Sequence, residues 1–472
     1  MGNVIRNIRI GGVTNIAQMS VPLEALTALV APNNYGKSNV LQGVEFAVRF
    51  MTATPQERRQ MMAQRTLIPI NASMDCRPFE FEISGTTDDY DYEYGYRFEW
   101  ATTKEGLTGQ RITGEWLRAK GTAEPTLERM QSQAGLNRGS SESHLSLLRD
   151  GRVASEEGEA NFAERGGGRR SQPKYRSLLK RDGETEALMA PTPTSRCSKP
   201  LTVDGSTLAL DRLSGIDKLF FAPLVGALQR LSVQRVNTLD NPDGIFSTPY
   251  PATGTALYST AMPRSGETGY FINSLRRLAP DRYELLRSTL LQLIPGIEDF
   301  EPVQVDLSER ADVPFQMPNT YYDIRVKERH NNQYTSINSV STGCKKILWV
   351  LTTAMAASMN GVQLLMFEEL ENSVHPRLLQ SLLQVVDTLA GDTKVITTSH
   401  SPFLVRYLRP ERIYLGLPTP EGVADFRTIR PSKVKKVLQL ASGEDTSVGE
   451  YLFEMMLDAE ADQDMLDEYF VR

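Results

Sequence analysis

The chain has 472 residues, 40% of them hydrophobic, and a formal net charge of −6. That length suffices for one large core with an insertion or for two domains, while the acidic balance gives no support to a protein that coats nucleic acid through phosphate neutralisation. No run of about 18 apolar residues offers a membrane-spanning helix. The three cysteines, Cys76, Cys197 and Cys344, are widely spaced and odd in number, which argues against a disulfide framework or a zinc site and for a reducing, cytoplasmic setting.

In chain order, the opening MGNVIRNIRI lacks the apolar core of a signal peptide. Gly2 fits the first position of a myristoylation motif, but Val4 and Ile5 already begin a strand pattern. Strands are expected at 4–10 and 27–30, and the second runs into APNNYGKSN. From Ser38 the spacing of Val40, Leu41, Val44, Ala47 and Val48 predicts a helix. Residues 79–118 alternate with period two and read as an antiparallel meander. From about 119 to 215 the chain is rich in Gly, Ser, Pro and charge, the composition of a loosely ordered insertion, with short helices expected near 144–148 and 175–180. Helical pattern returns at 216–238 and, as an amphipathic pair, at 270–294, where Pro280 suits a helix start. Strands at 301–306 and 321–328 then precede a helix at 343–358, a buried strand at 364–367, a helix at 376–389 and a buried strand at 394–400. This rhythm predicts an α/β fold around a mixed, mainly parallel sheet. The expected organisation is 1–118 and 300–425 as two parts of one head, 119–299 as an insertion (flexible to about 215, then helical), and 426–472 as an acidic helical tail. The tail's apolar anchors Leu452, Met455, Met456, Leu466 and Phe470 could dock on its own core or on a neighbour.

Four segments carry candidate chemistry. Residues 31–38, APNNYGKS, form a phosphate-binding loop in which Ala31 stands where the pattern has glycine. The residues from Asn33 through Asn34, Tyr35, Gly36, Lys37 and Ser38 to Asn39 would contact the phosphates at a helix N-terminus, with the Lys37 ammonium on the β- and γ-phosphates and the Ser38 hydroxyl on Mg²⁺. The run LLMFEE delivers Glu368 and Glu369 to the end of a buried strand, where ligands of open α/β sheets sit. Glu368 would hold Mg²⁺ through water and Glu369 would orient the attacking water. His400 ends the next buried strand, and Ser341 with Gly343 opens an apolar helix, with Ser341 as its N-cap. Each segment alone also has an ordinary structural explanation: a Gly-Lys-Ser loop, a strand ending in solvated acids, a structural histidine, a helix start.

In their order of loop, helix start, paired acids and histidine, these segments resemble the heads of ABC-type ATPases, the group of the SMC, RecF and OLD proteins. MFEELENSVHP (366–376) and VITTSHSPFLV (395–405) look most like the OLD-like branch. The resemblance implies ATP and Mg²⁺ as cofactors, Glu369 and His400 as catalytic residues, Ser38 and Glu368 on the metal side, and Ser341 and Gly343 as a signature that meets the nucleotide of an opposing copy. It implies Asn372 and His375 at the dimer interface, and so a homodimer or higher oligomer. Leu370 and Cys344–Lys345 depart from the family's usual residues. Too few residues follow His400 for the Toprim domain of OLD nucleases, and the insertion lacks heptads for a long coiled coil. What remains is similar to the ATPase subunits of antiphage systems such as PARIS or Septu, in which a separate protein carries the toxic activity. The expected function is thus an ATPase scaffold for a separate effector; the alternative is a DNA-repair or DNA-clamp ATPase, for which Arg165 to Arg181 and Lys433, Lys435 and Lys436 are the candidate DNA contacts.

Overall fold

The computed structural model describes residues 3–63, 68–74, 77–88, 90–100, 111–121, 144–150, 157–165, 176–180, 185–189, 201–214, 222–236, 249–250, 262–263, 267–306, 320–417, 419, 421–458 and 468–471. Two large sheets dominate it. The antiparallel sheet contains β1 (Val4–Val13), β2 (Ile16–Pro22), β4 (Phe79–Thr86), β5 (Tyr90–Glu99), β6 (Arg111–Gly121), β7 (His144–Asp150), β8 (Glu157–Arg165) and β11 (Leu201–Asp204), in the order β11-β8-β7-β6-β5-β4-β1-β2. The mixed sheet contains β3 (Leu26–Val30), β12 (Val233–Val236), β17 (Leu364–Glu368), β18 (Lys394–Ser399), β19 (Ile413–Leu417), β20 (Asp425–Ile429) and β21 (Phe470–Val471), in the order β12-β17-β18-β3-β19-β20-β21. Its first five strands are parallel, and β20 and β21 are antiparallel to their neighbours. A small antiparallel sheet joins β13 (Pro249–Tyr250), β14 (Ile297–Asp306), β15 (Thr320–Glu328) and β16 (Thr335–Ser336), and β9 (Arg176–Lys180) pairs with β10 (Thr185–Met189).

The mixed sheet is buried on both faces because successive side chains alternate between two cores. Leu365, Phe367, Val395, Leu26, Ala28, Ile413 and Leu415 point to one core, shared with the helices Thr268–Leu278, Pro280–Leu293, Thr342–Met359 and Pro376–Ala390. Leu364, Met366, Ile396, Leu29 and Tyr414 point to the other, shared with the helix Lys37–Thr52 and the antiparallel sheet. There the helix lays Phe46 and Phe50 on the aromatic face of the meander, with Phe50 stacked 4.8 Å from Phe98 and 5.0 Å from Tyr96.

The meander expected at 79–118 is present and extends further. The short helices expected at 144–148 and 175–180 are strands instead. HLSLLRD has period-two character, and pairing with β6 satisfies backbone groups that an isolated short helix would leave open. Likewise, the helical pattern expected over 216–238 divides into the helix Ala222–Gln229 and β12, which pairs in parallel with β17; residues 215–221 lie outside the described residues.

Two buried charges tie the lobe together. Arg58 is 1% exposed. Its guanidinium bonds the carbonyls of Phe50 and Met51 at the end of the helix Lys37–Thr52 and pairs with Asp211. Glu115, wholly buried, accepts the N–H groups of Ala209 and Leu210 and the Tyr94 hydroxyl, so a carboxylate caps the helix Ala209–Ser214 from inside the core.

The C-terminal tail docks on its own chain. Leu452, Met455, Met456 and Phe470 are buried in the main core, and β21 extends the mixed sheet beside β20. Lys433 and Lys436 pair with Glu468 at 2.5 and 3.6 Å and lie over the Tyr469 ring. Leu466 lies outside the described residues. Among the described residues, no helix is long and apolar enough to cross a membrane.

Candidate nucleotide site

The parallel strands bring three segments to one edge. Ser399 of β18 is level with Val30 of β3, and Thr398 is level with Glu368 of β17. The loop after β3, the acids after β17 and His400 after β18 therefore leave the sheet side by side at its carboxyl ends, where open α/β sheets bind ligands.

The loop turns sharply into the helix Lys37–Thr52. Gly36 holds φ 100°, a left-handed conformation that favours glycine, and a Cβ there would meet Asn15 Oδ1 at 2.6 Å. Asn34 also has a positive φ, of 62°, and both Asn33 and Asn34 are exposed. Ala31 is not among the residues with positive φ, so its position does not require the glycine of the usual pattern. Its N–H instead donates to the carbonyl of Ser399, clamping the loop to β18. Tyr35 packs edge-on to Phe426 at 6.3 Å, and Asn39 donates its amide to Asn15 in the β1–β2 turn at 2.9 Å. Lys37 is 6% exposed, and its ammonium donates to the carbonyls of Ala31 and Pro32 at 2.6 and 2.8 Å. Burial pushes its pKa down, and the Glu369 and Glu371 carboxylates pull it back up.

The two acids have different settings. Glu368 accepts the Ser38 hydroxyl on Oε2 at 3.0 Å. A hydroxyl and a carboxylate in direct contact at a helix N-terminus form a hard-oxygen pair suited to Mg²⁺, which takes its other positions from phosphate and water. Glu369 has φ 49°, and its N–H donates to the carbonyl of Thr398. This left-handed backbone turns its side chain out of the strand. Asn372 donates to its Oε2 at 2.5 Å, and Nδ1 of His400 lies 3.3 Å from its Oε1. Of the predicted residues, then, Lys37, Ser38, Glu368, Glu369, Asn372 and His400 converge.

Ser341 and Gly343 take no part in those hydrogen bonds. Ser341 caps its own helix, accepting the N–H of Cys344 at 3.4 Å, and is exposed. Gly343 lies against the turn after the acids: a Cβ would stand 2.7 Å from the Ser373 carbonyl, so the close approach requires glycine. His375 is exposed and caps the next helix through Arg377 N–H. Leu370, directly after the paired acids, is fully buried.

Three residues here went unassigned in the sequence. Arg235, on edge strand β12, places Nε 2.6 Å from Glu368 Oε1 and an outer nitrogen 3.4 Å from Glu45. VQRV is too short and lacks the alternation that would mark it as a strand, so the sequence gives no local signal for Arg235's position. Glu371 accepts the Ser399 hydroxyl on Oε1 at 2.5 Å, while its buried Oε2 has no hydrogen-bond partner. Burial pushes its pKa up, against the pull of the Ser399 bond. Lys346, one turn into the helix Thr342–Met359, has a buried ammonium with no hydrogen-bond partner, and it lies 5.4 Å from the centroid of the Trp349 ring. Burial lowers its pKa to about 8, and the Glu371 and Glu369 carboxylates oppose that shift.

Fold and site together describe an α/β head with the 31–38 loop, the paired acids Glu368 and Glu369, and His400 at the carboxyl ends of neighbouring parallel strands. Residues 227–406, which carry Glu368, Glu369, Ser341, Gly343 and His400, match the family model described as "AAA domain, putative AbiEii toxin, Type IV TA system". No curated protein matches the sequence significantly. Among solved structures, it is similar in shape to an SMC head bound to the C-terminal winged-helix domain of ScpA (11% identity, TM-score 0.41, 91% of this chain and 99% of the other). It is also similar to the SMC head of Thermotoga maritima (10%, 0.38, 90% and 99%). A third is an SMC head with an extended coiled coil, bound to a ScpA domain, from Pyrococcus furiosus (9%, 0.40, 93% and 100%).

Proposed function

We propose that this protein binds and hydrolyses ATP, that two or more copies close on the nucleotide, and that the assembly serves as a sensor and regulatory scaffold for a separate effector. One observation carries the ATPase reading: Ser38, bonded to Glu368, lies on the same sheet edge as Glu369, which is held by Asn372 and His400. Lys37 would exchange its two loop carbonyls for phosphate oxygens. A Mg²⁺ bound by Ser38 with Glu368 would supply charge neutralisation on the phosphates. Glu369 Oε1 would draw a proton from the attacking water as its oxygen bonds the γ-phosphorus and the bond to the β–γ bridging oxygen breaks. Asn372 and His400 would fix the carboxylate's rotation.

The exposed Ser341 at the start of an otherwise buried helix supports a composite site, because such an N-terminus is an anion site open to a second copy. The effector role in bacterial antiphage defence rests on the sequence resemblance to ATPase subunits of antiphage systems; the family model's description, which names a putative toxin of a type IV toxin–antitoxin system, is compatible with it. Comparing phosphate release by the full chain with that of Glu369→Gln, and co-expressing the chain with its neighbouring gene product, tests the whole reading. ATP-dependent turnover that Glu369→Gln abolishes, with a co-purifying partner, is the expected result. ATP that neither binds nor turns over would sink the ATPase reading. Salt-dependent binding to duplex DNA without a protein partner would move the function to a DNA clamp.

A further inference from the structure

We infer that Arg235 is an exchangeable counter-charge for the metal-side acid: it holds Glu368 when no cation is bound and passes to Glu45 when one is. This rests on the nucleotide-site reading above and extends it to how the metal is admitted. Glu368 is largely buried, with its side chain 9% exposed, and its two oxygens are divided between Ser38 and Arg235. A carboxylate buried to that degree needs a counter-charge, and Arg235 provides it through Nε at 2.6 Å. The same guanidinium reaches Glu45, a little over two turns into the helix Lys37–Thr52, at 3.4 Å. Glu45 is half-exposed, so it can accept the arginine without a buried rearrangement. The arginine thus lies between two carboxylates, one at the metal position and one outside it. β12 positions it: Arg235 is level with Met366 on β17, one strand in from the sheet edge.

A divalent cation at Ser38 and a guanidinium on Glu368 repel one another, so the pair of acids sets how strongly the cation is held. Removing Arg235 relieves the repulsion. Neutralising Glu45 removes the arginine's alternative and strengthens its hold on Glu368. The two changes act in opposite directions on the same quantity, which a merely structural ion pair would not do.

The test uses the full chain with Glu369→Gln, to hold ATP unhydrolysed. Calorimetry gives the ATP dissociation constant with Mg²⁺ and with EDTA, and the EDTA value divided by the Mg²⁺ value is the cation's contribution. Arg235→Met should raise that ratio about tenfold, as expected for removing one charge near a divalent ion at intermediate dielectric. Glu45→Gln should lower it several-fold, and Arg235→Lys, which keeps the charge, should stay near the parent. Affinity in EDTA serves as the folding control for each variant. An unchanged or reduced ratio in Arg235→Met, with normal affinity in EDTA, overturns the inference, as does a ratio raised by Glu45→Gln. Absence of ATP binding by the Glu369→Gln chain in either buffer would instead overturn the nucleotide-site reading itself.

Discussion

His400 and Glu369 face each other across adjacent strand ends, imidazole Nδ1 to carboxylate Oε1 at 3.3 Å. The contact exists because β17 and β18 are parallel and in register, and because the left-handed φ of Glu369 turns its side chain toward the next strand. On the other oxygen, Asn372 completes the grip. Glu369→Gln should keep ATP bound and slow turnover by about 10²–10³-fold, since an amide cannot accept the proton. His400→Ala and Asn372→Ala should each cost less, about tenfold, because they orient rather than react. Single-turnover phosphate release checks all three. Turnover within a few-fold of the parent in Glu369→Gln would remove it as the catalytic base.

Lys37 donates to the carbonyls of Ala31 and Pro32 at 2.6 and 2.8 Å and is almost fully buried. Charge-assisted bonds to phosphate contribute about 1.5–3 kcal/mol each. Lys37→Ala should therefore weaken ATP binding by at least about a hundredfold. Near-normal affinity by calorimetry would refute the phosphate-loop assignment.

Ser341→Arg should leave each copy's own loop intact while blocking the shared site. Mixed with Lys37→Ala, it should recover part of the ATPase activity through hybrid dimers that hold one intact composite site. A titration of mixing ratios reads the effect, and no recovery at any ratio would count against a two-copy site.

Lys346 predicts a stability change with pH. Its folded pKa, about 8, lies below its ordinary value of 10.5 because burial disfavours the charge. Between those values the unfolded chain binds more protons than the folded one, so stability rises with pH in that window. Glu371 and Glu369 face the ammonium and moderate the effect. Urea unfolding between pH 7.5 and 9.5 should show the rise in the parent and lose most of it in Lys346→Met. Equal slopes in the two proteins would assign the pH dependence elsewhere.

The tail belongs to the fold, with Leu452 1% and Phe470 1% exposed. Gly449 passes so close to Val405 that a Cβ would lie 2.0 Å from the Val405 carbonyl oxygen. Leu452→Ala should cost about 2–5 kcal/mol, and deleting 448–472 should prevent folding or ATP binding. A truncated chain that folds and binds ATP normally by thermal melting and calorimetry would show the docked tail to be dispensable.

The sequence by itself determined the chemistry-bearing segments and most of the sheet. APNNYGKS, LLMFEE and VITTSH are local signals: an apolar run fixes a buried strand, and the polar residues after it must then stand at the strand's end. The period-two alternation of 79–118 likewise fixed a meander, because a half-buried strand needs only its own pattern. Tertiary structure decided what local pattern could not. VQRV and HLSLLRD are too short to choose between helix and strand, and each became a strand because a neighbouring strand, β17 or β6, offered its backbone groups. With β12 came Arg235, whose contact with Glu368 spans 133 residues of sequence. The pairing of Glu371 with Ser399, the burial of the Lys346 ammonium without a hydrogen-bond partner, and the docking of the tail on its own core are likewise set by which surfaces meet. Electrostatic partners and burial depend on distance in space, and the pattern of one segment carries no record of the segment that packs against it.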